Sequence, residues 1–413
     1  MLYIVDGLRT PFVKFGTSFV DESPIDLGIS ASKALFTRSG VSPDAVDETV
    51  FGCCNQPGTT IGNIARSISV RSGVPERVPA VTVHRNCASG FEAITYACDK
   101  AANKKGSVFL VGGVESMSQA PFLFNRDAVK KFTKLSRSKT IGQKLTTACS
   151  FRTSDFSPEV ALKKGLVDNL CDMGMGHTAE LLAREGDITR RQQDKFSELS
   201  HYKAIAARAS NRFAEQITPY FLTNDNCLSS PSGKHVTEDN GPRNDATLER
   251  LSKLRPVFDR REGTVTAGNA SQVTDGAAAL LLMTEEGLNK TGATPIAHIE
   301  DYAYAGCDPK RMGLGPVRAV EKLGKDITKA DLIEINEAFA AQVLACQTQL
   351  NVPDEKLNVN GGAIALGHPL AATGARLIIN LVQELQHRDL SNGLATLCVG
   401  GGQGGAIWVN RKL

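Results

Sequence analysis

The chain has no stretch of the ~18 or more consecutive apolar residues that a membrane-spanning helix needs. Its opening run, Met1-Leu2-Tyr3-Ile4-Val5-Asp6-Gly7, lacks the basic start and long apolar core of a secretion signal and reads as a buried strand. No Cys-x-x-Cys pair occurs either: ten cysteines are scattered, and only Cys53 and Cys54 are adjacent. That spacing fits neither a zinc site nor the disulfide framework of a small secreted domain. Reduced thiols in a cytoplasm-like compartment, with no bound metal, are the expectation. Charge of one sign is also missing. A formal net charge of +3 gives no reason to expect a polyanionic partner, so nucleic acid is disfavoured.

What is present points to two or three α/β units, because 413 residues exceed one simple core. The 38 glycines cluster in short runs beside apolar segments. A weak internal repeat is visible. Val41-Ser42-Pro43-Asp44-Ala45-Val46-Asp47-Glu48-Thr49-Val50-Phe51 reads as a helical turn leading into a short strand, and Ile327 to Asn336 has the same layout. Val108-Phe109-Leu110-Val111-Gly112-Gly113 is echoed by Ala395-Thr396-Leu397-Cys398-Val399-Gly400-Gly401. Two similar α/β halves explain both echoes. In the second half the glycine turn runs straight into a strand, Ala406 to Val409. In the first half the matching strand, Ala277 to Met283, arrives far later, so residues near 120–255 are expected to be an excursion. Helices are expected there over Thr178 to Glu185 and Arg190 to Asn211.

Within the excursion, Arg126, Lys130, Lys131, Lys134, Arg137, Lys139 and Lys144 are interleaved with Val129, Phe132, Leu135 and Ile141. A solvated loop helix is the commoner origin of such a face. Docking on anionic lipid or on a partner enzyme is the sharper reading, and membrane contact is the less favoured of the two outcomes.

Four segments carry chemistry. In Val81-Thr82-Val83-His84-Arg85-Asn86-Cys87-Ala88-Ser89-Gly90 a β-branched strand ends at Asn-Cys and small residues open a helix. Cys87 is thereby expected near a helix N-terminus, where backbone N–H groups and the dipole favour a thiolate; the plainer alternative is a small residue packed at a tight turn. In Asn358 to Pro369, glycines flank His368, and a histidine held in such a loop suits acid–base work. Cys398 ends an apolar strand before Gly400-Gly401-Gly402-Gln403-Gly404-Gly405, a turn with free N–H groups that can stabilise an anion. Asn336, in Asn336-Glu337-Ala338-Phe339-Ala340, closes the strand Leu332 to Ile335, where a helix cap is the ordinary role.

Together with Thr264-Val265-Thr266-Ala267-Gly268-Asn269-Ala270-Ser271 and Asp275-Gly276-Ala277-Ala278, these segments resemble the thiolase family, the acyl-CoA acetyltransferases, over essentially the whole chain. The resemblance implies a five-layered α-β-α-β-α fold built from two repeated halves with an inserted loop domain, the halves bringing parallel sheets face to face. The expected division is 1–119 with 256–284 for the first half, 120–255 for the insertion and its CoA contacts, and 285–413 for the second half. It also implies CoA-dependent thiolytic cleavage of 3-ketoacyl-CoA, reversible as a Claisen condensation, with CoA as substrate and no other cofactor. Cys87 is then the nucleophile that carries the acyl thioester and His368 its general base. Cys398 is the second acid/base, Asn336 holds an oxyanion-site water, and the backbone N–H groups of Cys87 and Gly400 form another oxyanion site. Met175 is expected to wall the acyl pocket, Phe339 and Ser271 to flank the pantetheine, and Arg243 to meet the nucleotide end. Leu254 and Ala267 complete the CoA-contacting set.

The stretch between Ser118 and Asp172 is longer than in compact synthetic thiolases. With His235-Val236-Thr237-Glu238-Asp239-Asn240-Gly241 it is similar to degradative thiolases that pair with a hydratase/dehydrogenase; that subgroup often has histidine where this chain has Asn336. Thiolysis in fatty-acid β-oxidation is the leading expectation, a biosynthetic acetoacetyl-CoA thiolase the alternative, and a homodimer or homotetramer the expected assembly. A decarboxylating ketoacyl synthase on a similar fold has no need of Cys398. A non-catalytic lipid-binding scaffold predicts loss of Cys87, His368 or Cys398, and all three are present.

Overall fold

The computed structural model describes residues 1–57, 62–222 and 234–412. Its frame is β1 (Leu2–Arg9), β2 (Glu48–Gly52), β3 (Ala80–Val83), β4 (Val108–Glu115), β5 (Thr274–Met283), β6 (Ala297–Gly306), β7 (Leu332–Ile335), β8 (Asn392–Val399) and β9 (Gln403–Asn410). These form one hydrogen-bonded path, β7-β8-β9-β6-β1-β5-β4-β2-β3, with the short strand Val13–Lys14 beside β5. Outward from the antiparallel β1–β6 seam, the two sides have the same order. Where the first side ends in β3, the second ends in an isolated bridge between Ile333 and Leu357. The echo in sequence has a local counterpart, since 3-10 turns at Pro43–Ala45 and Ile327–Lys329 lead into β2 and β7.

Each half is mixed, which corrects the expectation of parallel sheets. Only β2–β3, β2–β4 and β7–β8 are parallel; β4–β5, β1–β5, β8–β9 and β6–β9 are antiparallel. The glycine turn between β8 and β9 explains part of this, because so short a link closes a hairpin and a parallel return needs a dozen or more residues.

The helices that cover or extend this frame are α1 (Pro24–Ser39), α2 (Ile64–Arg71), α3 (Ser89–Ala102), α4 (Arg126–Arg137), α5 (Ile141–Ala148), α6 (Met175–Glu185), α7 (Arg190–Ala209), α8 (Gly315–Leu323), α9 (Ala340–Leu350) and α10 (Leu370–His387). Alternation along the strands sorts them into layers. On β5, Leu280 and Leu282 enter a core with α3 and α10, while Leu281 and Met283 face α1 and α2. On β9, Ile407 and Val409 join the α3–α10 core, while Ala406 and Trp408 pack with α8 and α9. The result is five layers, α-β-α-β-α. Burial of α10 on every side from Ala371 to Leu385 is what a middle-layer helix requires.

The chain leaves the frame after Glu115 and returns at Thr274. The basic stretch forms α4 and α5, where Phe132 packs against Phe124, Phe151 and Phe156, while Ile141 and Leu145 stay exposed. Helix α6 starts at Met175, earlier than the sequence suggests, and α7 stops at Ala209. Residues 223–233, Cys227 among them, lie outside the described residues. Arg9 of β1 holds Asp239 of the excursion through two buried contacts of 2.7 and 2.8 Å. Removing one partner of such a pair costs about 3–5 kcal/mol, so this contact anchors the excursion to the frame. Among the described residues no helix is long and apolar enough to cross a membrane.

Candidate active site

Cys87 lies in the turn between β3 and α3. Asn86 takes φ 44, a left-handed conformation that asparagine tolerates better than most residues. Two groups hold that turn by its carbonyl: Ser89 Oγ donates to Asn86 O at 2.7 Å, and the Cys54 thiol does so at 3.0 Å. The N–H groups of Cys87 itself and of Gly400, from the opposite half, lie near the Cys87 sulfur and favour its thiolate. These donors stabilise a thiolate, yet burial outweighs them and pushes the thiol up to about 11. The thiolate expected from the helix dipole alone is therefore not the resting state. Cys87 rests as a thiol.

His368 follows Gly367, whose φ of 99 suits glycine, and precedes α10. Its backbone N–H donates to Gln272 O at 3.0 Å, and Nδ1 lies 2.7 Å from Thr373 Oγ1. The other ring nitrogen, Nε2, is buried and has no partner among the described residues. Burial first, and Arg376 second, hold the imidazole down to about 3. The ring is neutral at neutral pH and its acid–base capacity is unspent.

The loops bearing Cys87 and His368 meet because α3 and α10 cross at their N-terminal ends. A Cβ on Gly90 would fall 2.5 Å from Ala371 O, and one on Gly374 would fall 2.6 Å from the Phe91 nitrogen. Only glycine permits that approach.

Cys398, 1% exposed, stands near the end of β8 and packs with Met175, Met312, Ala338 and Phe339. Its thiol is raised well above the usual range, by burial and then by the nearby Cys87. Asn336 donates its backbone N–H to Thr396 O at 3.0 Å; its side-chain oxygen and nitrogen are both buried with no partner among the described residues. An amide in that condition is uncommon in a core and is suited to a ligand or a held water.

The predicted CoA contacts divide into three groups. Phe339 and Met175 pack in one cluster with Cys398, and Ser271 is held beside that cluster, donating its N–H to Ala338 O at 2.9 Å while Ala270 bridges to Phe339. Leu254 and Ala267 are exposed and sit together, since a Cβ on Gly268 would lie 2.6 Å from Leu254 Cδ1. Arg243 lines a surface cleft with His201, Tyr202 and Thr247, and its guanidinium pairs with Asp245 at 3.0 Å.

Sequence reasoning overlooked three side chains here. Thr373 sets one nitrogen of His368. Cys54 supports the Asn86 carbonyl. Glu115, wholly buried at the end of β4, accepts N–H groups from Asn55 at 2.7 Å, from Cys54 at 3.2 Å and from Ala371 of α10 at 3.2 Å. Burial pushes that carboxyl up to about 7. An acidic residue closing an otherwise apolar strand was the available signal for Glu115.

The assembled groups are a thiol flanked by two N–H donors, a neutral imidazole, a second thiol and an unpartnered amide. Such a set can form a thioester and stabilise an adjacent carbanion equivalent.

Comparison with known proteins agrees with this geometry. The family model described as "Thiolase, N-terminal domain" matches residues 2–286, and that described as "Thiolase, C-terminal domain" matches residues 293–411. The chain is 39% identical over 411 residues to the mitochondrial 3-ketoacyl-CoA thiolase of Bos taurus, covering 98% of this chain and 97% of that one. It is 40% identical over 414 residues to the acetyl-CoA acetyltransferase of Escherichia coli (strain K12), covering 99% and 98%. The crystal structure of human mitochondrial 3-ketoacyl-CoA thiolase in complex with CoA superposes with a TM-score of 0.88 at 37% identity, covering 100% of this chain and 98% of that one.

Proposed function

The chain belongs to the thiolase family of acyl-transferring enzymes, and from that premise we propose CoA-dependent thiolysis of 3-ketoacyl-CoA, run degradatively, with an acyl group carried on Cys87. The observation that carries this reading is the meeting of the two halves beside the nucleophile: Asn86, next to Cys87, donates Nδ2 at 2.8 Å to the carbonyl of Gly400, two residues beyond Cys398.

In this reading Cys87 gives its proton to Nε2 of His368 as its sulfur bonds to the keto carbon. The resulting oxyanion meets the N–H groups of Cys87 and Gly400, and the thioester oxygen of the departing acetyl-CoA enolate is held by the protonated imidazole and by water on Asn336. Scission of the bond between the α-carbon and the keto carbon leaves the acyl group on Cys87, and the departing α-carbon takes the proton of Cys398. Acetyl-CoA leaves. A second CoA thiol gives its proton to the Cys398 thiolate and attacks the Cys87 thioester, whose oxyanion meets the N–H groups of Cys87 and Gly400. The Cys87 sulfur recovers its proton from His368, closing the cycle. Burial pushes the Cys87 thiol up and holds the His368 imidazole down, so the pair enters the cycle as thiol and neutral imidazole and Nε2 is free to take the proton.

The degradative direction rests on the long excursion and on its likeness to thiolases that work beside a hydratase/dehydrogenase, which is the partner proposed here. Residues 120–255 form the insertion in this scheme, with Arg243 at the nucleotide end of CoA. Strand β3 is the outer strand of its half, and its half-exposed Val81 and Val83 suit pairing with a second copy in a homodimer or homotetramer. Ten scattered cysteines favour a reducing, cytoplasm-like compartment.

Thiolysis rates on 3-ketoacyl-CoAs of increasing chain length test the proposal. Activity maintained or rising with length supports it. Activity confined to acetoacetyl-CoA favours the biosynthetic alternative, and absence of thiolysis on every substrate overturns both.

A further inference from the structure

The excursion sends one buried carboxylate to the glycine turn that faces Cys87. Asp168, 5% exposed, lies in the short strand Val167–Asp168, which pairs antiparallel with Met173–Gly174 just before α6. Its Oδ1 accepts the Leu170 N–H at 2.9 Å, which closes its own hairpin. Its Oδ2 accepts the Gly401 N–H at 2.8 Å. Asn86, next to the nucleophile, donates Nδ2 to Gly400 O at 2.8 Å. Gly400 O and Gly401 N belong to the same peptide unit, so that unit is gripped at both ends.

The grip matters because this turn has little stiffness of its own. Gly400, Gly401 and Gly402 are consecutive, and the last two have φ of 90 and 75. Glycine passes between such conformations at small cost, so a turn made of three can rotate its peptides unless something outside holds them. On one side of Gly400, Val399 is fixed by its pairing with Gln403. On the other side the Gly400–Gly401 peptide is the remaining handle. Both must be fixed for the Gly400 N–H to keep facing the Cys87 sulfur.

We propose that Asp168 is a positioning residue that, together with Asn86, pins the Gly400–Gly401 peptide and so keeps the Gly400 N–H directed at the reacting centre. The proposal rests on the reading of Gly400 as an anion donor and deepens it, by making the insertion part of the oxyanion site. Met175, which ends this same hairpin segment, would lie 3.5 Å by its sulfur from a Cβ on Gly400, so the acyl-pocket wall and the turn are held as one unit.

The test compares Asp168→Ala and Asp168→Asn with the parent enzyme by kcat, by KM, by the rate of Cys87 alkylation with iodoacetamide across pH, and by thermal midpoint. Loss of an oxyanion donor lowers kcat by about 10²–10³-fold, and Asp168→Ala is expected to fall near the lower end with KM unchanged. Alkylation of Cys87 should slow at each pH below the thiol's midpoint, because the thiolate loses a donor. Asp168→Asn retains one acceptor oxygen and should lose less activity than the alanine variant; should the alanine variant fail to fold, the same readouts on Asp168→Asn decide. Unchanged kcat, or a lower kcat with an unchanged alkylation profile, overturns the proposal. Failure of the parent enzyme to catalyse thiolysis would instead remove the underlying reading, so the two failures are distinguishable.

Discussion

Nδ1 of His368 lies 2.7 Å from Oγ1 of Thr373, five residues on and one turn into α10. Thr373 Oγ1 also approaches Pro369 O at 3.4 Å, and a hydroxyl donating there accepts from Nδ1–H. That tautomer leaves the lone pair on Nε2, the nitrogen with no partner among the described residues, ready to take the Cys87 proton. Thr373→Val keeps the shape and removes the acceptor. It is expected to lower kcat by about tenfold to a hundredfold, part of the 10²–10⁴ that acid–base catalysis supplies. Leaving a buried Nδ1–H unpaired should also cost about 1–3 kcal/mol of stability. Steady-state kinetics with a denaturant melt checks both, and an unchanged kcat would remove Thr373 from this role.

Cys87 alkylation should report a resting thiol. With the thiol pushed up to about 11, the rate with iodoacetamide should climb about tenfold per pH unit from neutrality towards pH 10. A rate already level near pH 8 would reveal a thiolate–imidazolium pair and contradict the neutral resting state.

Glu115 supplies a stability signature. Its carboxyl is raised from 4.5 to about 7 by burial, so its protonated form favours the folded protein. That contribution is complete below pH 4.5 and is lost as pH rises through about 7. Glu115→Gln does not titrate. Relative to the parent, the variant should therefore gain about 3 kcal/mol between pH 4.5 and pH 8, whatever its offset at the acid end. Denaturant melts at several pH values measure this difference, and a difference independent of pH would contradict the raised carboxyl.

Much of the site was legible because its residues sit at the ends of local elements. A β-branched strand, Asn86-Cys87 and a run of small residues announce a strand-to-helix turn, and the structure has β3 ending at Val83 and α3 starting at Ser89. The repeat was legible for the same reason, as 3-10 turns precede both β2 and β7. What escaped depends on distant partners. Glu115 and Ala371 are 256 residues apart, and no local pattern says that a strand end will cap the helix that follows His368. The resting state of Cys87 escaped similarly: the helix dipole is a local property, but the burial that outweighs it comes from the whole fold. The apolar pattern predicts β5 from Ala277, whereas the strand starts at Thr274, because Asp275 is extended and buried, with the Ser118 backbone N–H on its Oδ1 at 2.9 Å. A polar residue with a remote partner looks like a loop in sequence.

The most direct measurement is acyl trapping by mass spectrometry in the Cys398→Ala enzyme. After prolonged incubation with acetyl-CoA, from which the CoA thiolate can leave and take its proton from solvent, digestion should place an acetyl group on the Cys87 peptide, while the same enzyme neither condenses acetyl-CoA nor cleaves a 3-ketoacyl-CoA. Cys87→Ser should carry no acetyl thioester and lose turnover by several orders of magnitude. An acetyl group found on a different cysteine, or carbon–carbon cleavage undiminished without the Cys398 thiol, would contradict the account.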